Sequence, residues 1–259
     1  MLTEDVKKMK ILSIGNSFSQ DAHNYIHRLA EYNGFNVETV NLYIGGCTLE
    51  HHIDCLKSGN AEYDLEINGG QGIRKVSLAE GTETDKFDII TLQQASPFSG
   101  KPQTYFPYLK MLIDFCREKQ PNAEILFHKT WAYETDFTNA AFDNYARDQK
   151  EMYRRLTDCG EMVEKIYNLP LIPVGTVIQK LRDTVPEFDY GNGGISLCRD
   201  GFHLTLDYGR LAAACTWLRF ILKKPINLNG FGDFDSKLTD KIMQIIEETV
   251  SENRAALPL

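Results

Sequence analysis

Apolar positions along this chain of 259 residues follow two different periods. Short apolar runs, typical of buried strands, are followed by stretches in which apolar residues recur every three or four positions, as on one face of a helix. The runs at 10–14, 36–43, 87–92, 124–127 and 169–174 are predicted strands. The helical pattern predicts helices over 22–32, 48–57, 103–119, 138–167, 204–222 and 235–251.

This order of elements predicts the fold class. Strands that alternate with helices favour a parallel sheet covered on both faces, which makes a three-layer α/β/α sandwich with five parallel strands. One segment departs from the alternation: residues 64–78 carry Asn68-Gly69-Gly70 between two alternating arms, which is typical of a β-hairpin. No repeat or linker interrupts the pattern, so a single domain over residues 1–259 is expected.

Composition narrows the classes of partner. The net charge of −8 argues against nucleic acid, because phosphate binding needs a basic surface. No run approaches the roughly 18 apolar residues of a membrane span. The first ten residues lack an apolar signal region, and the six cysteines form no C-x-x-C pair, so free thiols in the cytoplasm are expected. The oligomeric state is left open.

Polar residues follow the predicted strands at one edge of the sheet. In parallel α/β sheets, ligands bind outside the carboxyl ends of the strands. The residues in those positions are Asn16 and Ser17, Gly45 and Gly46, Gln93, Gln94 and Ser96, and His128, Trp131 and Tyr133, and the segment 199–203 precedes a late helix. Their convergence on one edge indicates a site there.

Two of these stretches have the residue types of a serine hydrolase. Ser17 stands between a strand and a helix, where its hydroxyl is exposed beside backbone N–H groups that can stabilise an oxyanion. The alternative is that Ser17 only caps the helix. Asp200 and His203 lie three residues apart, so the carboxylate can orient the imidazole as a general base. Alternatively, Asp200 only caps the next helix, and His203 is a surface or packing residue.

The blocks 15–19 (Gly-Asn-Ser-Phe-Ser), 45–46 (Gly-Gly), 92–94 (Leu-Gln-Gln) and 200–203 (Asp-Gly-Phe-His) resemble the conserved blocks of the SGNH, or GDSL-like, hydrolases. The resemblance is to a branch with Asn in place of the first-block Asp. It implies a flavodoxin-like sandwich that hydrolyses short carboxylic esters, often acetyl groups on carbohydrates, without a cofactor or metal. It also implies Ser17 as nucleophile, His203 as base, Asp200 as its orienting acid, and the N–H groups of Ser17 and Gly46 as oxyanion donors.

The chain departs from that family at the third oxyanion donor. The usual Gly-x-Asn-Asp block is absent, and Gln94, or alternatively Gln93, is the predicted replacement. Both glutamines could instead satisfy buried backbone groups at the strand end. Asn16, Gln93, Trp131 and Tyr133 are predicted to contact substrate, with the two aromatic rings stacking on a sugar or, alternatively, packing in the core.

Two other functions compete with an esterase. A non-catalytic module on the same scaffold could hold a sugar or an anion at the turn before the first helix. A metal-dependent hydrolase is disfavoured, because His23 and His27 share a helix face but have no third ligand at a suitable spacing. The adjacent pair His51-His52 is interpreted as part of a helix with solvated or packing roles.

Overall fold

A computed structural model describes residues 8–255 of the chain, with side chains up to Asn253. The predicted single domain extends to residues 1 and 259, so both of its ends lie outside this range. Residues 1–7, which make up most of the segment interpreted as lacking a signal sequence, lie outside it as well.

The sheet has seven strands in the described part of the chain rather than the predicted five. Its order is β4-β3-β2-β1-β5-β6-β7, and the four pairings from β2 to β7 are parallel. The strands are β1 (Met9–Gly15), β2 (Val37–Tyr43), β3 (Tyr63–Ile67), β4 (Lys75–Val76), β5 (Ile89–Leu92), β6 (Glu124–His128) and β7 (Leu171–Ile172). The prediction of an entirely parallel sheet is therefore wrong, although the α/β class is confirmed.

The predicted hairpin supplies the two additional strands. Asn68 and Gly69 both have positive φ angles, of 53° and 72°, and Gly70 N–H donates to the Ile67 carbonyl at 3.0 Å. Such a turn reverses the chain tightly enough to pair β3 with β4. Because β3 also pairs antiparallel with β2, the hairpin extends the sheet at one edge and makes it mixed.

The helices agree with the apolar pattern in position but less well in length. The predicted helix 22–32 is two helices, and the predicted helix 138–167 begins only at Gln149, after Ala146 and Arg147 with positive φ. The helices are α1 (Ser17–His23), α2 (Ile26–Tyr32), α3 (Leu49–Ser58), α4 (Leu78–Thr82), α5 (Tyr108–Lys119), α6 (Gln149–Tyr167), α7 (Val174–Thr184), α8 (Tyr208–Leu222) and α9 (Ser236–Ala255). Helix α7 was missed, because its apolar start was interpreted as the end of a strand.

Alternate residues of the central strand face two separate cores. Ile11 of β1 packs with the side that carries α1, α2, α7, α8 and α9. Leu12 and Ile14 pack with the side that carries α3 and α5. Burial on both faces explains why the strand is apolar without interruption. Polar groups are accordingly left for the strand ends, where the candidate site lies.

Among the helices of residues 8–255, none is both long enough and apolar enough to cross a bilayer.

Candidate active site

Ser17 is the first residue of α1, directly beyond the carboxyl end of β1. The preceding Asn16 has an extended backbone and its side-chain oxygen accepts a hydrogen bond from Phe18 N–H at 3.0 Å. Asn16, rather than Ser17, is therefore the helix cap, so the capping interpretation of Ser17 is wrong. The Ser17 hydroxyl and its N–H make no hydrogen bond within the described part of the chain, and Ser17 lines a pocket.

The side chain of Asn16 joins three segments of the sheet edge. Its oxygen also accepts from Gln93 Nε2 at 2.6 Å, and its Nδ2 donates to the Cys47 carbonyl at 3.1 Å. The Gln93 oxygen in turn faces His128 Nδ1 at 2.9 Å. A carboxylate in place of Asn16 could not donate to Cys47. This contact gives a physical reason for an amide rather than a carboxylate at position 16.

Gly46 lies in the turn that this contact fixes. Cys47 N–H donates to the Ile44 carbonyl at 3.2 Å, and Gly46 has φ of 64°, a conformation that favours glycine. The Gly46 N–H has no acceptor among the residues the structure describes, and Gly46 lines the same pocket as Ser17. Two unpaired backbone donors therefore belong to this pocket, as an oxyanion hole requires.

Asp200 and His203 form a closed turn, and His203 lines the same pocket as Ser17. Asp200 accepts hydrogen bonds from the backbone N–H of His203 at 2.8 Å and from its ring Nδ1 at 2.7 Å. Burial opposes ionisation of Asp200, but the hydrogen bonds from His203 outweigh it and hold the Asp200 pKa below its usual value. With Nδ1 engaged, Nε2 of His203 is left for a proton transfer in the pocket.

The backbone of this turn is tightly specified. Arg199 N–H donates to the His203 carbonyl at 2.9 Å, and Cys198 pairs with Leu204, so the two ends of the turn are held together. Gly201 at its tip has φ of 84°, and a Cβ there would lie 2.6 Å from the ring of Phe137. Any other residue at position 201 would therefore strain the backbone and press on the ring of Phe137.

A buried ionic cluster links this turn to α1, the helix that begins at Ser17. Asp21, four residues after Ser17 on α1, is fully buried. Its carboxylate accepts from Arg199 Nη1 at 3.0 Å, from Arg210 Nε at 2.8 Å and from Leu204 N–H at 2.8 Å. Asp21 therefore holds the residues on both sides of the Asp200–His203 turn against α1. Sequence reasoning missed it, because the only signal was an acid on a short helix.

The pocket that these segments enclose has a volume of about 350 Å³. Ser17, Gly46 and His203 line it together, and the aromatic residues Tyr43, Tyr133, Phe137 and Phe202 contribute to its walls. Apart from Tyr133, these aromatic residues were not singled out from the sequence. Of the described residues that line it, only His203 is a strong metal ligand, so the pocket offers no set of ligands for a metal ion.

Gln94 does not reach this pocket, which contradicts its predicted role as third oxyanion donor. Its Nε2 donates to the carbonyl and hydroxyl of Thr104 at 3.1 and 3.2 Å. Its oxygen accepts from Leu49 N–H and Ala95 N–H at 3.1 and 2.8 Å. The carboxamide satisfies buried backbone groups, which is the alternative that the sequence left open.

Two of the predicted substrate contacts, Gln93 and Trp131, also need correction. Gln93 is buried behind Asn16 and lines no part of the pocket. Trp131 is fully buried, donates to the Phe202 carbonyl at 2.7 Å and packs on Phe18 at 4.3 Å between ring centroids, so it cannot stack on a sugar. Tyr133 lines the pocket but is almost fully buried, with its hydroxyl 2.9 Å from Ser96 Oγ. Asn16 lines the pocket with its carboxamide already engaged.

The histidine pair considered for a metal is engaged elsewhere. His23 Nε2 lies 2.8 Å from Ser13 Oγ in the core, and burial lowers the pKa of His23 to about 3. His27 Nδ1 instead lies 2.8 Å from the Val37 carbonyl. Both are therefore packing residues.

Comparison with known proteins places the chain in a family. The profile of DUF4886, a domain of unknown function, matches residues 10–250. The chain belongs to the DUF4886 family. A DUF4886 family protein from Bacteroides uniformis is 31% identical to it, with a TM-score of 0.83 over 95% of each chain. No curated protein matches the sequence.

More distant structures show that DUF4886 shares its fold with SGNH hydrolases. A Slackia heliotrinireducens protein assigned to that superfamily is 18% identical, with a TM-score of 0.53 over 82% of this chain and 97% of its own. A variant of Axe2, an acetyl-xylooligosaccharide esterase from Geobacillus, is 13% identical, with a TM-score of 0.52 over 86% of this chain and 99% of its own. The resemblance inferred from the sequence blocks is thus confirmed for the fold.

Proposed function

We propose that this DUF4886 protein is a serine esterase that hydrolyses short acyl esters, with O-acetylated carbohydrates as its substrate class. One observation carries the proposal. Ser17, the unpaired Gly46 N–H and the Asp200-oriented ring of His203 all belong to one pocket, although they come from three distant stretches of the chain. Nucleophile, oxyanion donor and oriented base are the parts that acyl transfer from an ester needs.

The reaction follows from these positions. Ser17 Oγ attacks the ester carbonyl while Nε2 of His203 takes its proton, and the N–H groups of Ser17 and Gly46 stabilise the oxyanion. The carbon–oxygen bond to the alcohol then breaks, and His203 returns the proton to that oxygen. Water, activated by the same imidazole, hydrolyses the acyl-serine. Asp200 stabilises the imidazolium that forms in both steps.

The walls of the pocket support a small acyl group. Tyr133, Phe137 and Phe202 place three large rings in its walls, and Tyr133 is fixed by its hydrogen bond to Ser96. The carbohydrate part rests on analogy with the fold relative named as an acetyl-xylooligosaccharide esterase. We therefore expect acetyl esters to be turned over faster than octanoyl esters, measured with p-nitrophenyl esters of graded length and with acetylated xylo-oligosaccharides.

Replacement of the nucleophile is the decisive test. Ser17→Ala should lower kcat by roughly three or more orders of magnitude, because the acyl-enzyme can no longer form. A fluorophosphonate probe should label the wild type at Ser17 and leave the variant unlabelled. Ser96→Ala is the matched control, since Ser96 lines the same pocket but is hydrogen-bonded to Tyr133.

Two outcomes would contradict the esterase. Near-normal kcat in Ser17→Ala would remove the nucleophile from the proposal. A folded wild type that takes no label and cleaves none of the esters, yet binds acetylated oligosaccharides, would favour the non-catalytic module instead.

A further inference from the structure

Three potential metal ligands meet outside the pocket, beside the β3–β4 hairpin. His51 and Cys55 lie one turn apart on α3, and Glu62 directly precedes β3. His51 Nε2 is 3.7 Å from Cys55 Sγ and 3.5 Å from Glu62 Oε2. A nitrogen, a sulfur and a carboxylate oxygen, all within 4.8 Å of one another, therefore converge from two separate elements.

The two distances fit the edges of a coordination tetrahedron. Zn²⁺ bonds of about 2.3 Å to sulfur and roughly 2.0–2.2 Å to nitrogen and oxygen place sulfur and nitrogen about 3.6 Å apart, and nitrogen and oxygen about 3.4 Å apart. The observed separations of 3.7 and 3.5 Å are close to these lengths. We propose that His51, Cys55 and Glu62 bind a zinc ion, with water as the fourth ligand.

Charge favours a divalent cation of this kind. Binding releases the thiol proton of Cys55 and forms a bond from its thiolate to Zn²⁺. The thiolate and the Glu62 carboxylate then balance the two positive charges, and the imidazole of His51 is neutral. Burial and the nearby Glu62 raise the pKa of the free Cys55 thiol, so the metal must displace that proton. A thiolate and an imidazole select zinc over magnesium or calcium.

The proposed zinc site lies at the surface of the protein. His51 and Glu62 are 44% and 39% exposed, whereas Cys55 is buried. The adjacent His52 faces inward, where its Nδ1 lies 2.9 Å from the hydroxyl of Tyr63. The two consecutive histidines thus differ in role, and only His51 is available to an ion that enters from solvent.

The consequence of binding is a link between α3 and the hairpin. None of the three ligands lines the pocket of Ser17, so this site stands or falls independently of the esterase proposal. An ion that binds only the folded chain raises the free energy of unfolding.

The test uses the chain of 259 residues after dialysis against EDTA, with Zn²⁺ alone as titrant. Isothermal titration should show one Zn²⁺ per chain, and Zn²⁺ should raise the thermal unfolding temperature. Glu62→Gln and His51→Gln should each weaken Zn²⁺ binding by about tenfold or more. Loss of a residue that only hydrogen-bonds to a metal ligand already lowers affinity by about that factor, and loss of a ligand should lower it at least as much. Glu50→Gln is the matched control, because Glu50 is an acid on the same helix whose carboxylate accepts from Tyr108 instead.

Cobalt substitution identifies the thiolate. Co²⁺ bound to the wild type should give a thiolate-to-cobalt charge-transfer band in the near ultraviolet, and Cys55→Ser should abolish it. Because His51 and Glu62 are exposed, their variants should remain folded. Metal binding can therefore be tested with them even if Cys55→Ser unfolds. No stoichiometric Zn²⁺ binding by the wild type, or equal affinity in Glu62→Gln and Glu50→Gln, would overturn the proposal.

Discussion

The wall of the pocket that carries Ser17 is held by neutral amides, whereas the wall that carries His203 is held by buried charges. Asn16 and Gln93 connect the ends of β1, β2 and β5 through carboxamide hydrogen bonds. Asp21 connects the Asp200–His203 turn to α1 through Arg199 and Arg210. Neutral bonds tolerate the loss of one partner better than a buried ion does, because an ion left unpaired remains desolvated. The two walls should therefore respond differently to substitution.

The largest expected effect on stability comes from the charged wall. Asp21→Asn leaves Arg199 and Arg210 without their countercharge and should lower the free energy of unfolding by about 3–5 kcal/mol. In protein that remains folded, kcat should fall more than KM changes, because the displaced turn carries His203, the proposed base. Urea unfolding and steady-state kinetics check both effects.

An exposed ion pair provides the control for Asp21. Asp114→Asn breaks the pair with Lys110, in which both side chains are more than half exposed, and should cost less than about 1 kcal/mol. Equal losses in Asp21→Asn and Asp114→Asn would show that the buried cluster is not what holds this wall.

The sequence singles out the residues of the proposed triad but not the side chains that hold them in place. Ser17, Asp200 and His203 follow from local patterns, since each lies in a short block with a recognisable turn. Asp21 and Arg210 are 189 positions apart, and no local pattern indicates that they meet. For the same reason, no local pattern joins His51 and Cys55, within the predicted helix 48–57, to Glu62, which lies beyond the end of that helix.

The fold shows the same division between local and distant information. Alternation of strands and helices was enough for the α/β class, and Asn68-Gly69 was enough for the hairpin. That β3 would pair with β2 and make the sheet mixed depends on a contact between separate segments. Helix α7 is not predicted, because the apolar run 169–174 fits a strand throughout. In the structure the strand ends at Ile172, and Pro173 precedes the first residue of α7.

The neutral wall should respond to a change of one atom. Asn16→Asp replaces the amide that donates to the Cys47 carbonyl with an oxygen that faces it, so it should cost about 1–3 kcal/mol of stability. We expect kcat to fall roughly tenfold, because Gly46 is no longer held beside Ser17. Asn139→Asp serves as control, since Asn139 is an exposed residue of the same pocket. Equal kinetics in the two variants would contradict a special role for Asn16.

Acid should weaken the neutral wall through His128. Burial, with a smaller effect of His23, lowers the pKa of His128 to about 3 in the folded protein, whereas an unfolded histidine titrates near about 6.5. Between these values the unfolded chain binds a proton that the folded chain excludes, so the free energy of unfolding decreases as the pH falls from 6.5. The contribution is about 1.4 kcal/mol per pH unit.

Unfolding at several pH values tests this contribution. Between pH 6 and 4, the His128→Gln variant should take up about one proton fewer on unfolding than the wild type, so its free energy of unfolding should depend less steeply on pH. An unchanged slope in that variant would mean that His128 is not excluded from protonation by the fold. Above pH 7 the free energy of unfolding should depend on pH in the same way in the wild type and the variant, because His128 is then neutral in both the folded and the unfolded wild type.

The smallest expected effect on activity separates two neighbouring glutamines. Side chains of consecutive residues in an extended segment point to opposite faces. Gln93 supports Asn16, whereas Gln94 bonds to Thr104, Leu49 and Ala95 away from the pocket. Gln94→Ala should therefore lower stability by about 1–3 kcal/mol through the buried groups it leaves unpaired, yet change kcat by less than about threefold. Gln93→Ala should lower kcat more, because it loosens the Asn16 cap. A loss of about 10² or more in kcat for Gln94→Ala, with KM unchanged, would instead mean that Gln94 turns into the pocket when substrate binds and acts as the third oxyanion donor.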